Sequence, residues 1–170
     1  SYHVPIVHRE SLGDQVAPPL DNEGAWSGSL IPVEQTAGIM RGETSPFPPI
    51  ASLAGEALEG SHFLGLYPST YFVATTDCFW WMEIKPRGSA RIELVVGSGF
   101  PRETVARDDF ESIVERYYMR WDTSHKEDNE ICELQQAGLT SPLALPGRLA
   151  GRERGVNAVD RWIVERMLMT

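Results

Sequence analysis

Four short runs of β-branched and aromatic residues, separated by turn-forming residues, constrain the fold of this chain more than any other feature. They cover residues 63–67, 71–75, 79–84 and 91–96. Runs of this length and composition, bounded by Gly, Pro, Ser and Asp, predict an antiparallel sheet. In the last run Ile92, Leu94 and Val96 alternate with Arg91, Glu93 and Val95, so we expect one buried face and one partly solvated face.

Two helices are predicted after the sheet. The first has an apolar stripe at the 3.6-residue period, formed by Phe110, Ile113, Val114, Tyr117, Tyr118 and Trp121. Asp108 and Asp109 precede it, where carboxylates favour the helix dipole. A second stripe predicts a terminal helix lying against the sheet, formed by Val156, Val159, Ile163 and Met167. The pattern therefore predicts an α+β fold with a long cavity between sheet and helix.

Residues 13–60 are rich in Gly, Pro, Ser and Glu and are interrupted by Pro18-Pro19, Pro46 and Pro48-Pro49. This composition predicts a lid or loop with one short strand near residues 30–33; a disordered insertion is the alternative. We expect part of the stretch to be mobile near the cavity mouth, because it provides too little packing energy to fix one conformation.

Composition excludes several classes of function. With 170 residues, 42% of them hydrophobic, the chain can bury the core of a single domain. It has no apolar run long enough to span a bilayer and no signal segment. A formal net charge of −9 argues against nucleic acid and anionic membrane as partners. Cys78 and Cys132 follow no disulfide pattern, so a cytoplasmic location is expected.

His3 and His8 lie on either side of Pro5, and an acidic run occupies residues 127–133. Residues five apart on a regular helix lie about 140° apart around its axis, so the two rings would not share a face. Proline kinks or breaks a helix, and a kinked turn would bring both rings toward one ion. Two imidazoles and a carboxylate are the donors of a mononuclear iron site. Ordinary packed or surface histidines are the alternative.

A helix continuing from residue 109 to residue 135 would place one acid of this run toward the sheet. The residues on that side would be Trp121, Ser124, His125, Asp128 and Cys132. The side chains expected to point toward water are then those of Glu127, Glu130 and Glu133. The alternative for Asp128 is that it also belongs to a solvated acidic helix face. His125 is a rival ligand with a supporting or surface role as its alternative, and His62, at a strand start, is expected to be structural.

These local patterns combine into one family motif. Tyr2-His3, four residues and His8 form the first part, and Glu127-Asp128, Glu133 and residues 136–139 (QAGL) form the second, followed by a PGR loop at residues 146–148. The pattern resembles the catalytic domain of Rieske-type non-haem iron oxygenases, the ring-hydroxylating alpha subunits. The resemblance spans nearly the whole chain; its ends are specific, and residues 13–60 match only by position.

The resemblance implies a helix-grip (START/Bet v 1-like) fold, in which an antiparallel sheet packs against a long C-terminal helix and the iron site lies between sheet and helices. Residues 1–170 would form a single catalytic domain, with His3, His8 and Asp128 as the catalytic ligands of mononuclear Fe(II). Three coordination positions would stay open for water, dioxygen and substrate approach. Tyr118, Trp121 and Ser124 are expected to line the substrate pocket. The aromatic run at residues 79–82 is a further candidate for its wall, with plain core as the alternative.

The implied function is that of a terminal oxygenase in aromatic hydrocarbon catabolism or a related reaction, either hydroxylation or oxidative demethylation of a small aromatic or quaternary ammonium compound. Electrons would come from a Rieske [2Fe–2S] cluster, and indirectly from NAD(P)H through a reductase or ferredoxin. The Cys-x-His and Cys-x-x-His motifs of that cluster do not occur here, so the cluster domain is expected upstream of Ser1. The chain alone would then not complete a catalytic cycle, and a head-to-tail homotrimer is expected.

Two other classes of function remain open from the residues. One is a helix-grip ligand-binding protein without a metal, in which the histidines are incidental. The other is a zinc hydrolase with the same three ligands and Glu127 or Glu130 as general base. Iron, no metal and zinc in the purified protein would distinguish the three hypotheses.

Overall fold

The computed structural model describes residues 3–13, 17, 20, 24–33, 35–151 and 153–169. Within these ranges a single antiparallel sheet has the strand order β1-β2-β3-β4-β5, so each strand pairs with its neighbour in sequence. The strands are β1 (Trp26–Pro32), β2 (Gly60–Leu66), β3 (Thr70–Ala74), β4 (Phe79–Pro86) and β5 (Ile92–Gly99). The four strands predicted between residues 62 and 100 are confirmed, and the strand expected near residues 30–33 is the end of β1.

Four α-helices and one short 3-10 helix, Gly55–Leu58, complete the described structure. The α-helices are α1 (Val4–Val7), α2 (Arg102–Val105), α3 (Phe110–Leu139) and α4 (Arg154–Leu168). An antiparallel sheet combined with helices confirms the α+β fold of the helix-grip type. No described helix is long and apolar enough to cross a membrane.

The core lies between α3 and the sheet. Val114 and Tyr117 of α3 are fully buried, and they belong to one cluster with Val73 and Trp80 of the sheet. Burying an apolar side chain of this size contributes about 1.5–3 kcal/mol relative to exposure, so the contact orients α3 on the sheet. The stripe predicted from Phe110 onward is therefore confirmed as the core face of α3.

The core also contains part of the Pro- and Gly-rich stretch. Ile39 and Phe47 are 4% and 2% exposed, and the Phe47 ring stacks on that of Tyr117 with centroids 5.1 Å apart. Gly38 allows this approach, since an added Cβ would lie 2.9 Å from Cε1 of Tyr117. Residues 35–54 contain no helix or strand, as the composition predicts for a loop, but Ile39 and Phe47 anchor this loop in the core. The expected mobility stays a prediction, and residues 14–16, 18–19, 21–23 and 34 lie outside the described residues.

A buried carboxylate ties the same segment to the sheet and to α3. Asp77 is 1% exposed and accepts four hydroxyl hydrogen bonds. The donors are Thr36 (2.5 Å), Ser45 (2.9 Å), Thr75 (2.8 Å) and Tyr117 (2.6 Å). Burial and the hydrogen bond to Asp77 raise the pKa of Tyr117 above its usual range. Each oxygen of Asp77 is thus satisfied without a cation, which keeps the cost of burying it small.

Two expectations about buried faces need correction. The terminal helix does lie against the sheet, since α4 contacts β1 and the Trp162 ring lies 5.8 Å from that of Tyr67. Its predicted apolar stripe is not buried there, because Val156, Ile163 and Met167 are 44%, 39% and 71% exposed. In β5, Ile92 and Val96 are 56% and 37% exposed, because β5 is an edge strand and the described helices leave much of that face uncovered.

Candidate metal centre

Helix α1 places His3 and His8 at its two ends. His3 is the residue before the helix and His8 the residue after it, where the His8 amide still donates to the Val4 carbonyl at 3.0 Å. Pro5 lies in the first turn, where its missing N–H breaks no helical hydrogen bond. The two rings therefore do not need to share a helix face, and their centroids lie 5.2 Å apart in an edge-on arrangement.

Helix α3 brings Asp128 to the same point. Its Oδ1 lies 2.9 Å from Nε2 of His8 and 3.3 Å from Nε2 of His3. One ligand atom from each of the three residues lies within 4.8 Å of the other two, and no other such group of His, Cys, Asp or Glu occurs among the residues with described positions. We refer to His3, His8 and Asp128 as the triad.

The spacing of the triad fits a metal ion. Two ligands at right angles on an octahedral ion, each about 2.1 Å from it, lie about 3.0 Å apart. The two distances from Asp128 are close to this value. Two imidazoles and one carboxylate form the donor set of non-haem Fe(II) sites, and they leave the opposite face of the ion open.

The triad differs in burial from member to member. The side chain of His8 is 3% exposed, whereas those of His3 and Asp128 are 39% and 40% exposed. Burial acts to lower the pKa of His8, but hydrogen bonds to Asp128 and Glu127 outweigh it and raise the pKa. Burial likewise acts to raise the pKa of Asp128, and the contacts with His3 and His8 lower it well below its usual range. Asp128 is therefore ionised at neutral pH, as a metal ligand must be.

Glu127 contacts the far side of the His8 ring. Its Oε2 lies 2.7 Å from Nδ1 of His8 and accepts a hydrogen bond of 2.7 Å from Oγ of Ser11. The expectation that Glu127 points to water together with Glu130 and Glu133 is therefore wrong. The physical reason is that α1 and the turn after it pack against α3 beside residue 127 and cover part of this side chain, which is 29% exposed.

A groove lies between β5 and the part of α3 that precedes Asp128. Its volume is about 360 Å³. The lining residues are Trp80, Val96, Gly97, Ser98, Glu115, Tyr118, Trp121, Asp122 and His125. A second, more open recess of about 490 Å³ lies against α3 at Asp122, His125, Lys126, Asn129, Glu130 and Glu133. His125, one helical turn before Asp128, borders both, whereas His3, His8 and Asp128 line neither of them.

A comparison with known protein families identifies the chain. The family model of the ring-hydroxylating alpha subunit (catalytic domain) matches residues 1–169. The chain belongs to this family. Among curated proteins, none matches the chain significantly. Membership in the family assigns a general oxygenase role to the chain, and it implies non-haem iron, an organic substrate and an electron-donating partner.

Within this ring-hydroxylating domain, the residues predicted to line the substrate pocket lie in the groove or beside it. Tyr118 and Trp121 line the groove. Ser124 lies beside the groove. Its hydroxyl already makes two hydrogen bonds within α3, since it donates to the Trp121 carbonyl at 3.1 Å and accepts from Nη1 of Arg120 at 2.9 Å. The role of Ser124 in substrate binding stays a prediction. Of the aromatic run at residues 79–82, Trp80 is core and also borders the groove.

His125 and His62 lie outside the triad. Nε2 of His125 contacts the sulfur of Met82 at 3.2 Å, and burial lowers its pKa. His62 lies within β2, opposite Ala74 of β3, and its structural role stays a prediction. Sequence reasoning missed Arg120, whose 2% exposed side chain donates to the Ala37 carbonyl at 2.9 Å and stacks over Trp121. Arg120 lies three residues after Tyr117, on the face of α3 that carries the apolar stripe, and this position in the sequence could have predicted its burial.

Proposed function

We propose that the chain is the catalytic part of a terminal oxygenase in which His3, His8 and Asp128 hold mononuclear Fe(II). The substrate is a small organic molecule, which is hydroxylated or oxidatively demethylated with dioxygen and with electrons from a Rieske [2Fe–2S] cluster. The observation that carries the proposal is the convergence of the three ligand atoms within 4.8 Å. When bound there, Fe(II) supplies the redox chemistry that activates dioxygen.

The protein's own residues would hold the ion in place and leave one side of it accessible. His8 is fixed in a buried position, while His3 and Asp128 lie nearer the surface. All three donors come from α1 and α3, and the partial exposure of His3 and Asp128 would keep a bound ion accessible from the surface. The buried Trp80 and Trp121, with centroids 4.6 Å apart, give the neighbouring groove an apolar wall that limits water.

The groove is the proposed binding surface for the substrate. Tyr118 and Trp121 offer ring faces and edges, which bind aromatic compounds by stacking and quaternary ammonium groups by cation–π contact. Glu115 and Asp122 add two carboxylates to the lining. Like charges repel, so this lining favours a quaternary ammonium or neutral aromatic compound over an aromatic carboxylate.

Electron supply is the part of the proposal that requires other domains or proteins. Cys78 and Cys132 are both free thiols, the first just before β4 and the second in α3, and neither belongs to a cluster motif. We propose that electrons arrive from a Rieske domain, which is reduced by a reductase or ferredoxin and ultimately by NAD(P)H. A head-to-tail homotrimer would bring the cluster of one subunit to the triad of the next. The thiols also fit the proposed cytoplasmic location.

The two other hypotheses fit the geometry less well. A ligand-binding protein without metal gives no reason for two imidazoles and a carboxylate to converge. A zinc hydrolase needs a general base beside the open face of the ion, but Glu127 accepts from His8 on the side of the ring away from the triad. Glu130 lines the open recess on α3 and would be the remaining candidate.

The test is metal analysis combined with an activity assay on the full-length protein, purified anaerobically without added metal. We expect iron in the wild-type protein, and multiple turnover of an aromatic or quaternary ammonium substrate with NADH, dioxygen and a reductase. Asp128→Ala should lose both iron and turnover while keeping the far-UV circular dichroism of the sheet. Zinc with hydrolytic activity, or an Asp128→Ala protein that keeps iron and turns over, would contradict the proposal.

A further inference from the structure

Both ring nitrogens of His8 have a carboxylate partner. Nε2 lies 2.9 Å from Oδ1 of Asp128, and Nδ1 lies 2.7 Å from Oε2 of Glu127. A neutral imidazole carries one proton, and only the nitrogen without it can bind a metal. If Nε2 binds the ion, the proton must be on Nδ1, where Glu127 accepts it.

We propose that Glu127 is a positioning residue of the metal centre: its carboxylate holds His8 in the tautomer with the proton on Nδ1 and leaves Nε2 to bind the ion. This inference rests on the proposed function of the triad. It assigns a task to an acid that neither contacts the ion nor faces the substrate groove. Carboxylates that accept from the outer nitrogen of a metal-bound histidine orient the ring and increase its basicity.

Glu127 is itself held in position. The same Oε2 that faces His8 accepts a hydrogen bond from Oγ of Ser11, which is 4% exposed. Ser11 is fixed by the turn that follows α1, in which the amides of Leu12 and Gly13 both donate to the His8 carbonyl at 2.8 and 3.0 Å. Gly13 has a φ of +72°, a value that favours glycine. Ring and hydroxyl therefore reach the carboxylate from one rigid turn.

The helix geometry explains why two adjacent acids serve one ring. Neighbouring residues on an α-helix point about 100° apart, so Glu127 and Asp128 diverge from α3. The His8 ring lies between them and presents one nitrogen to each. A ring that is 3% exposed can take few other orientations, so the pair of acids selects both its position and its proton.

The simpler alternative is that Glu127 only ties α1 to α3. In that case its removal would lower the stability of the metal-free protein and leave the Fe(II) affinity of the folded protein unchanged. The two roles are therefore separated by measuring the Fe(II) dissociation constant, by anaerobic competition with a chelator, and the melting temperature of the metal-free protein. The variants are Glu127→Ala and Glu127→Gln in the full-length protein. Glu111→Gln, an exposed acid of the same helix, is the matched control.

We expect Glu127→Ala to weaken Fe(II) binding about 10- to 100-fold. Glu127→Gln should weaken it less, about 3- to 10-fold, because the amide oxygen still accepts from Nδ1 but carries no charge. Glu111→Gln should bind as wild type. In the Zn(II)-loaded protein, ¹⁵N NMR should show a protected Nδ1 proton on His8 that exchanges faster in Glu127→Ala.

Folded Glu127→Ala protein that binds Fe(II) within threefold of wild type overturns the inference, whatever its melting temperature. If Glu127→Ala does not fold, the Fe(II) affinity of Glu127→Gln is the deciding measurement. Wild-type affinity in Glu127→Gln would also overturn the positioning role of Glu127. Asp128→Ala separates this failure from failure of the proposed function. Wild-type Fe(II) affinity in Asp128→Ala rejects the triad itself, whereas loss of binding there with unaffected Glu127 variants rejects only the role of Glu127.

Discussion

Tyr117→Phe tests whether the buried carboxylate of Asp77 fixes the Pro- and Gly-rich segment to α3. The Tyr117 hydroxyl is fully buried and donates to Oδ2 of Asp77 at 2.6 Å. After the change Oδ2 keeps only the donor from Ser45, at 2.9 Å. A hydrogen bond to a charged group contributes about 1.5–3 kcal/mol.

The expected loss of unfolding free energy is therefore about 1.5–3 kcal/mol. At roughly 2–4 °C per kcal/mol for a chain of this size, the melting temperature should fall by about 3–12 °C. Urea unfolding at neutral pH, followed by circular dichroism, measures the change as a lower midpoint at unchanged slope. Tyr71→Phe is the control, since the hydroxyl of this half-buried tyrosine makes no hydrogen bond to any part of the chain that the structure describes.

A Tyr117→Phe loss below about 0.5 kcal/mol, equal to that of Tyr71→Phe, would refute the reasoning, since this is the range of surface substitutions without a named cause. A double-mutant cycle with Asp77→Asn makes the test specific. If the hydrogen bond carries the effect, the two changes together should cost less than their sum by about 1 kcal/mol or more, because the residues are in direct contact.

Three further predictions concern packing, thiol chemistry and the terminal helix. Gly38→Ala should lower the unfolding free energy by about 1–3 kcal/mol in urea unfolding, because the new methyl group would meet the buried Tyr117 ring and Sγ of Cys78. The control Gly147→Ala places its methyl group in open space and should be neutral. Equal stability of the two variants would contradict the close approach at Gly38. In the native protein a thiol reagent should modify the exposed Cys132 and leave Cys78 unmodified until the protein unfolds, because Cys78 is buried and burial raises the pKa of its thiol. Peptide mass spectrometry identifies the labelled cysteine, and labelling of Cys78 before Cys132 would reject this prediction. Leu168→Ala, at an 82% exposed position of α4, should change the unfolding free energy by less than about 0.5 kcal/mol. A larger loss in urea unfolding would show that this end of the helix is covered.

Much of the fold could be predicted because its signals are local. The four strands of residues 60–99 are short runs of strand-forming residues between turns, and α3 carries its apolar stripe in one uninterrupted segment. The triad could be predicted only through the family motif, since spacing alone left His3 and His8 about 140° apart on a helix. The structure removes this difficulty by placing them at the two ends of α1 rather than on one face.

The features that could not be predicted depend on contacts between distant segments. Ile39 and Phe47 are isolated apolar residues among prolines and glycines, and nothing local shows that Tyr117 covers them. The four donors to Asp77 come from positions 36, 45, 75 and 117. Amphipathic periodicity in α4 and β5 identifies an apolar face but not the element that covers it. Glu127 was misplaced for the same reason, since its partners come from the other end of the chain.

The most direct measurement of the central claim is anomalous diffraction at the iron edge from crystals of the Fe(II)-loaded full-length protein, grown without oxygen. The triad requires one anomalous peak bonded to Nε2 of His3, Nε2 of His8 and an oxygen of Asp128, each at roughly 2.0–2.3 Å. A Rieske cluster would give its own, separate peak. Iron at full occupancy elsewhere in this domain, or bound without Asp128, would contradict the account.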